Sequence, residues 1–107
     1  MNVITNNQDK CDRALTALKQ VIDPEIGLNI IDLGLIYQVD FDEALSTLYV
    51  SMTLTTRFCP MGESIIESAR NILENTFKDL EVSLSLTFQP PWNYERISEK
   101  GKIFLNK

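Results

Sequence analysis

The chain has 107 residues, a net charge of −5 and no histidine. This length predicts one domain over residues 1–107, and the negative charge argues against a nucleic-acid partner because an acidic surface repels phosphates. No apolar run reaches the roughly 20 residues that cross a bilayer. The first residues lack the basic and apolar regions of a secretory signal, so we expect a cytoplasmic protein with no membrane contact.

A flexible lead-in, residues 1–7, precedes a predicted first helix. Its apolar residues recur at helical spacing, and they are Cys11, Ala14, Leu15, Leu18, Val21 and Ile22. Asn6 or Asn7 is expected to cap the helix. The helix should stop before Asp23-Pro24, because proline disfavours α geometry in the residue before it.

Two strands follow, over about residues 35–41 and 47–54, joined by a turn over 42–46. In the first, Leu35, Tyr37, Val39 and Phe41 are expected to share one side of the strand. A second helix should then bury apolar residues from Ile65 to Phe77. Its predicted first position is Pro60, which places Cys59 at or beside the N-cap. A third strand over 82–88 ends at Pro90-Pro91, and residues 89–107 form a C-terminal extension with a short helical turn near its end.

The order α-β-β-α-β predicts an α/β fold of the two-layer α+β sandwich type. Each strand has one apolar face, so two amphipathic helices should cover one face of a small three-stranded sheet. A crossover through the second helix would make that sheet mixed.

Cys59 is the strongest candidate for chemistry. A helix start carries partial positive charge, which favours a thiolate over a thiol, and Arg57 can help in the same sense. The alternative is a small buried cysteine filling a gap. Cys11 lies on the apolar face of the first helix, and we interpret it as a packing residue.

Other polar residues can support the thiol. Asp23 and Glu25 could bind a metal or orient the cysteine, although an aspartate before proline is also an ordinary turn residue. Thr55 and Thr56 can hydrogen-bond the loop or the sulfur, or be purely structural. Pro90, Pro91 and Trp92 offer a stiff apolar surface for partner docking, or else a lid on the edge of the core.

Three segments together resemble one family. They are Asp23-Pro24-Glu25 with Asn29-Ile30-Ile31-Asp32-Leu33-Gly34-Leu35-Ile36-Tyr37, Met52-Thr53-Leu54-Thr55-Thr56 with Cys59-Pro60, and Phe88 with Pro90-Pro91-Trp92, Ile97-Ser98 and Gly101-Lys102. The chain resembles the SufT/PaaD-like family of small iron–sulfur assembly proteins. The resemblance implies a non-enzymatic factor that carries, targets or helps transfer a cluster to client proteins. It places the family's cysteine at Cys59 and its loop aspartate at Asp23, while Arg57 stands where the family usually has proline.

Two cysteines cannot build a four-ligand metal site by themselves, so a metal or cluster with full thiolate ligation must borrow ligands from elsewhere. Any iron or iron–sulfur cluster would therefore be held transiently and shared with another chain, such as a client, an assembly protein or a second copy in a homodimer. Two other functions remain open: a thiol enzyme with Cys59 as its nucleophile, and a maturation chaperone dedicated to one oxygenase, as in the PaaD branch. A nucleic-acid module with a KH-like order is disfavoured, because there is no GxxG loop.

Overall fold

The structure, a computed structural model, describes residues 3–56 and 61–106. Its elements are β1 (Ile4–Thr5), α1 (Gln8–Leu18), β2 (Ile36–Asp42), β3 (Thr47–Met52), α2 (Gly62–Thr76) and β4 (Glu81–Leu86), followed by a 3-10 helix (Tyr94–Arg96) and α3 (Glu99–Leu105). Arg57, Cys59 and Pro60 lie outside the described residues.

The four strands form one mixed sheet in the order β1-β2-β3-β4. The central pair, β2 and β3, is an antiparallel hairpin. Each outer strand is parallel to its neighbour, so α1 and α2 serve as crossover connections on either side of that hairpin. The α/β class, the mixed sheet and the helical layer are confirmed, but the predicted count of three strands is wrong by one.

The additional strand is β1, in the segment predicted to be a flexible lead-in. The Asn6 side chain fixes this segment by donating to the Phe41 carbonyl at 2.9 Å and accepting from the Phe41 N–H at 2.9 Å. The lead-in prediction is therefore wrong for Ile4–Thr5 and the residue that follows them. A strand of two residues is too short to show any hydrophobic period, so the sequence pattern could not reveal it.

A β-bulge in β2 changes which side chains enter the core. Ile36 pairs with Met52, whereas Gln38 pairs with Ser51, so one extra residue stands between the two pairs. Ile36 is consequently fully buried, and Tyr37 is only half-buried. The prediction that Tyr37 shares a face with Val39 and Phe41 is wrong, because the bulge breaks the period of two.

The helix boundaries also differ from those predicted. Asn7 does cap α1, accepting from the Lys10 N–H at 3.1 Å, but the helix ends at Leu18, well before Asp23. Helix α2 begins at Gly62 with Met61 as its N-cap residue, two positions later than predicted. In the sequence, Cys59 is thus two residues before the cap rather than beside it.

One hydrophobic core lies between the helices and the inner face of the sheet. Its fully buried side chains include Leu18 of α1, Val39 and Leu48 of the hairpin, and Leu73 of α2. Ile97 of the C-terminal extension joins the same core. The extension is therefore packed onto the two-layer body rather than standing apart from it.

Candidate functional site

All three sequence signatures converge on one end of the sheet. Strand β2 begins there, and β3 and the parallel β4 both end there. Helix α1 leads to this end and α2 leads away from it. We call this region the signature end and define it as residues 19–35, 53–56 and 87–106 of the described chain.

The segment 33–35 ties the central and closing signatures together. The Thr53 N–H donates to the Leu35 carbonyl at 2.8 Å. The Trp92 indole Nε1 donates to the Leu33 carbonyl at 2.7 Å, and Arg96 Nε donates to the Gly34 carbonyl at 2.9 Å. Three consecutive carbonyls of the opening signature thus accept from residues far away in the sequence, which fixes the relative positions of the three segments.

Asp32 joins the opening signature to the C-terminal extension. Its carboxylate accepts from Asn29 Nδ2 at 2.7 Å and from Ser98 Oγ at 2.9 Å, and its carbonyl accepts the Ser98 N–H at 2.8 Å. Ser98 is also the N-cap of α3, accepting from the Gly101 N–H at 3.0 Å. The Asp32 carboxylate is therefore used in structural hydrogen bonds that join the two segments.

Asp23 lies in a tight turn and is almost fully buried, with 1% of its surface exposed. Its Oδ1 accepts from the Glu25 N–H at 3.0 Å, and its carbonyl accepts from the Gly27 N–H at 2.7 Å. These contacts match the turn role anticipated for an aspartate before proline. The turn hydrogen bonds do not by themselves account for the burial of the Asp23 carboxylate. Aspartate side chains are rarely removed from water, so this burial calls for a further explanation. Glu25 is exposed and supplies the turn with a backbone N–H.

The threonines after β3 differ in their surroundings. Thr53 is fully buried, Thr55 is half-buried and Thr56 is exposed. The alternation of β3 assigns Thr53 to the face opposite Met52, which would predict exposure. Thr53 is nevertheless fully buried, and its backbone N–H pairs with the Leu35 carbonyl. Local spacing alone therefore does not predict the burial of Thr53.

Arg57 and Cys59 belong to the link between β3 and α2, and this link begins and ends at the signature end. Its last described neighbour on one side is Thr56, and on the other side it is Met61, which is 38% exposed. Both flanking residues are solvent-accessible. Cys59 itself lies outside the described residues.

Cys11 lies far from the signature end along α1. It is in the first turn of the helix, near the hairpin turn at the opposite end of the sheet, and is fully buried. Burial raises the pKa of the Cys11 thiol above its ordinary value of 9.0, while a hydrogen bond with the Thr5 side chain lowers it. The packing interpretation of Cys11 agrees with this environment, and the residue does not contribute a ligand to the signature end.

The Pro90-Pro91-Trp92 segment has two parts. Pro90 and Pro91 are exposed, and the Pro90 carbonyl accepts a hydrogen bond from the Tyr37 hydroxyl at 2.7 Å. Trp92 is half-buried against the core with its indole N–H occupied, which favours the lid interpretation for that ring. The two prolines remain the accessible part of the predicted docking surface.

The described residues do not form a metal centre by themselves. Across residues 3–56 and 61–106, no three histidine, cysteine, aspartate or glutamate side chains come together as a candidate metal site. Nor does this part of the chain include a helix long and apolar enough to cross a membrane.

Comparison with known proteins connects this geometry with a family. A family profile described as iron–sulfur cluster assembly protein matches residues 12–84. The chain belongs to this family. The match includes the opening and central signatures, while the closing signature at Trp92 lies beyond it.

Similar proteins extend the match over most of the chain. It is 35% identical to the Fe-S protein maturation auxiliary factor YitW of Bacillus subtilis, covering 88% of this chain and 91% of that protein. It is 38% identical to the Fe-S protein maturation auxiliary factor SufT of Staphylococcus aureus, covering 79% and 96%. A solved structure of a DUF59 domain from Bacillus anthracis superposes with a TM-score of 0.83 at 34% identity, covering 89% of this chain and 90% of that one.

Proposed function

We propose that this member of the iron–sulfur cluster assembly family is a maturation factor that presents Cys59 at the signature end. In this role the thiolate holds or hands over a cluster, or iron, on its way to a client protein. The observation that carries the proposal is the convergence of all three signatures on the end of the sheet where the Cys59 link begins and ends. Relatives named Fe-S protein maturation auxiliary factors support the same role.

The ligand supply favours a shared cargo over a resident cofactor. The chain has two cysteines and no histidine, and Cys11 is buried at the opposite end of the molecule. One soft thiolate leaves most positions of an iron–sulfur cluster open. A client, an assembly protein or a small thiol then supplies the remaining ligands, and this incomplete ligation keeps the cluster transferable.

Asp23 and the threonines support Cys59 in this proposal. The buried Asp23 carboxylate belongs to the loop that packs at the signature end, and Thr55 and Thr56 lead directly into the link. Arg57 favours the thiolate through its positive charge. Pro90 and Pro91 form the exposed surface on which a cytoplasmic client docks.

The proposed function is not catalytic. Relatives are named auxiliary factors, which fits a protein that assists maturation without turnover of its own. The absence of histidine also removes the usual base for a cysteine nucleophile at neutral pH.

A client-maturation assay in cells tests the proposal. Cells that depend on this protein receive the wild type, Cys59→Ser or Cys11→Ala, and the activity of an iron–sulfur client enzyme is measured. We expect Cys59→Ser to fold normally by circular dichroism but to lose client activity, because serine cannot replace the soft sulfur ligand. Cys11→Ala is the matched control and should retain client activity. Normal client activity with Cys59→Ser would refute the proposal.

A further inference from the structure

The two edges of the sheet are protected to very different degrees. At one edge, β1 pairs over two residues only, and such a short strand offers little template for another chain. At the other edge, β4 is six residues long, Glu81–Leu86, and carries a single charge at its start. A long edge strand with few charges presents its backbone N–H and C=O groups as a template for pairing with another strand.

The hydrogen bonds that flank β4 show which of its backbone groups point outward. The Glu81 N–H donates to the Ser46 carbonyl at 2.8 Å, and the Thr87 N–H donates to the Met52 carbonyl at 2.9 Å. Odd-numbered residues therefore direct their backbone groups towards β3. The N–H and C=O groups of Val82, Leu84 and Leu86 point towards the free edge of the sheet.

The same residues carry the apolar side chains of the strand. In register with β3, Val82, Leu84 and Leu86 lie opposite Leu48, Val50 and Met52, on the helix-covered face. Val82 and Leu84 are half-buried, whereas Leu86, at the end of the strand, is 42% exposed. The serines of β4 alternate with them and face the open side of the sheet.

From this pattern we infer that β4 is a self-pairing edge, at which a second copy of the chain adds its own β4 in antiparallel orientation to form a continuous eight-stranded sheet. Directly opposed residues in a sheet lie on the same face. A two-fold axis perpendicular to the sheet keeps both helical layers on one side and makes the paired strands antiparallel. An axis along the strand would instead join the helical face of one copy to the open face of the other.

One register satisfies both the backbone and the side chains. With Leu84 opposite Leu84 of the second copy, Val82 lies opposite Leu86, and all six outward-pointing residues form hydrogen-bonded pairs. The apolar residues then meet on the helical face, and Ser83 meets Ser85 on the open face. The two Glu81 carboxylates lie at opposite ends of the pairing, about 20 Å apart at roughly 3.4 Å per residue, so they do not repel each other.

This arrangement has a consequence for the cargo. Each β4 runs towards its own signature end, so antiparallel pairing directs the two signature ends away from each other. The dimer therefore offers two separate sites, and the second copy does not supply the missing cluster ligands. The inference does not depend on the proposed function, because it concerns the edge of the sheet alone.

Sedimentation of the full-length protein tests the inference. We expect the wild-type mass to rise towards that of two chains as the concentration increases, and Leu86→Lys to remain a folded monomer. Ile4→Lys is the matched control, because it makes the same type of change at an exposed residue on the opposite edge. It should behave like the wild type. A wild type that stays monomeric at every concentration, or a dimer lost in Ile4→Lys and kept in Leu86→Lys, would overturn the inference.

Disulfide trapping tests the register. In a Cys59→Ser background, Ser83→Cys with Ser85→Cys should form a covalent dimer under mild oxidation, because a non-hydrogen-bonded pair has Cα atoms about 4.5 Å apart. Ser83→Cys alone should crosslink poorly, since its partner across the interface is residue 85. Equal crosslinking by the single variant would show that Ser83 meets Ser83, and the register given above would be wrong.

Discussion

At the scale of single residues, Asp23 and Asp32 show how two similar sequence positions take different roles. Both are aspartates of the opening signature. The Asp32 carboxylate accepts hydrogen bonds from the Asn29 and Ser98 side chains. Asp23 is almost fully buried, but the turn hydrogen bond to the Glu25 N–H uses only Oδ1. The turn needs an oxygen acceptor and has no need of a charge.

Replacing Asp23 with asparagine separates these two requirements. Asp23→Asn keeps an oxygen for the Glu25 N–H, so we expect little change in melting temperature, whereas Asp23→Ala should lose roughly 1 kcal/mol with that hydrogen bond. If the carboxylate acts on Cys59 or its cargo, Asp23→Asn should also weaken iron retention. It should speed alkylation of apo-Cys59, because a neighbouring negative charge opposes the thiolate.

Iron analysis after desalting and timed alkylation followed by mass spectrometry measure the two effects. Glu25→Gln is a suitable control, since Glu25 is exposed and contributes its backbone to the turn. Unchanged iron retention together with an unchanged alkylation rate would leave Asp23 as a turn residue only.

At the scale of elements, α3 depends on a close approach that only glycine permits. A Cβ at Gly101 would lie 2.8 Å from Ile97 Cγ2 and 2.9 Å from Leu28 Cδ2. Both neighbours are buried in the core, and the branched Ile97 side chain has few rotamers available. This contact holds α3, and with it Ser98 and its partner Asp32, against the opening signature.

We therefore expect Gly101→Ala to destabilise the protein. Alanine gains up to about 1 kcal/mol of helix propensity, but overpacking a core typically costs about 1–3 kcal/mol, so the net loss should be roughly 1 kcal/mol. Urea unfolding measures the difference, with Lys100→Ala as the control at an exposed position of the same helix. A Gly101→Ala variant as stable as Lys100→Ala would show that Ile97 and Leu28 move aside freely.

The elements also show what the sequence could and could not predict. The hairpin, both long helices and β4 follow from hydrophobic period, and the Asn7 cap follows from side-chain chemistry. The bulge at Tyr37 could not be predicted from the hydrophobic period. A single extra residue leaves the composition of the strand unchanged, but it exchanges the two faces of the sheet to which successive side chains point. Strand β1 is stabilised by the contact between Asn6 and Phe41, which are 35 residues apart, so its local sequence gives no signal.

At the scale of the whole molecule, topology assembles the candidate site. The parallel pairing of β3 with β4 brings the closing signature to the same end of the sheet as the central one, and the antiparallel hairpin brings the opening signature there as well. Sequence similarity could identify the three signatures. Their meeting point depends on strand order, which the pattern of apolar residues left open. The role of the two prolines beside Trp92 stays a prediction at this scale.

Anaerobic reconstitution tests whether Cys59 holds the iron–sulfur cargo. The apo-protein is incubated with iron, sulfide and a small thiol, desalted, and examined by ultraviolet–visible spectroscopy for the absorption of an iron–sulfur cluster. We expect wild type and Cys11→Ala to retain the cluster absorption and Cys59→Ser to lose it. Cys11 is buried at the opposite end of the sheet, so Cys59 is the thiolate that this chain can offer to the cluster. Equal retention of the cluster by Cys59→Ser and wild type would contradict the assignment of Cys59 as the residue through which this protein works.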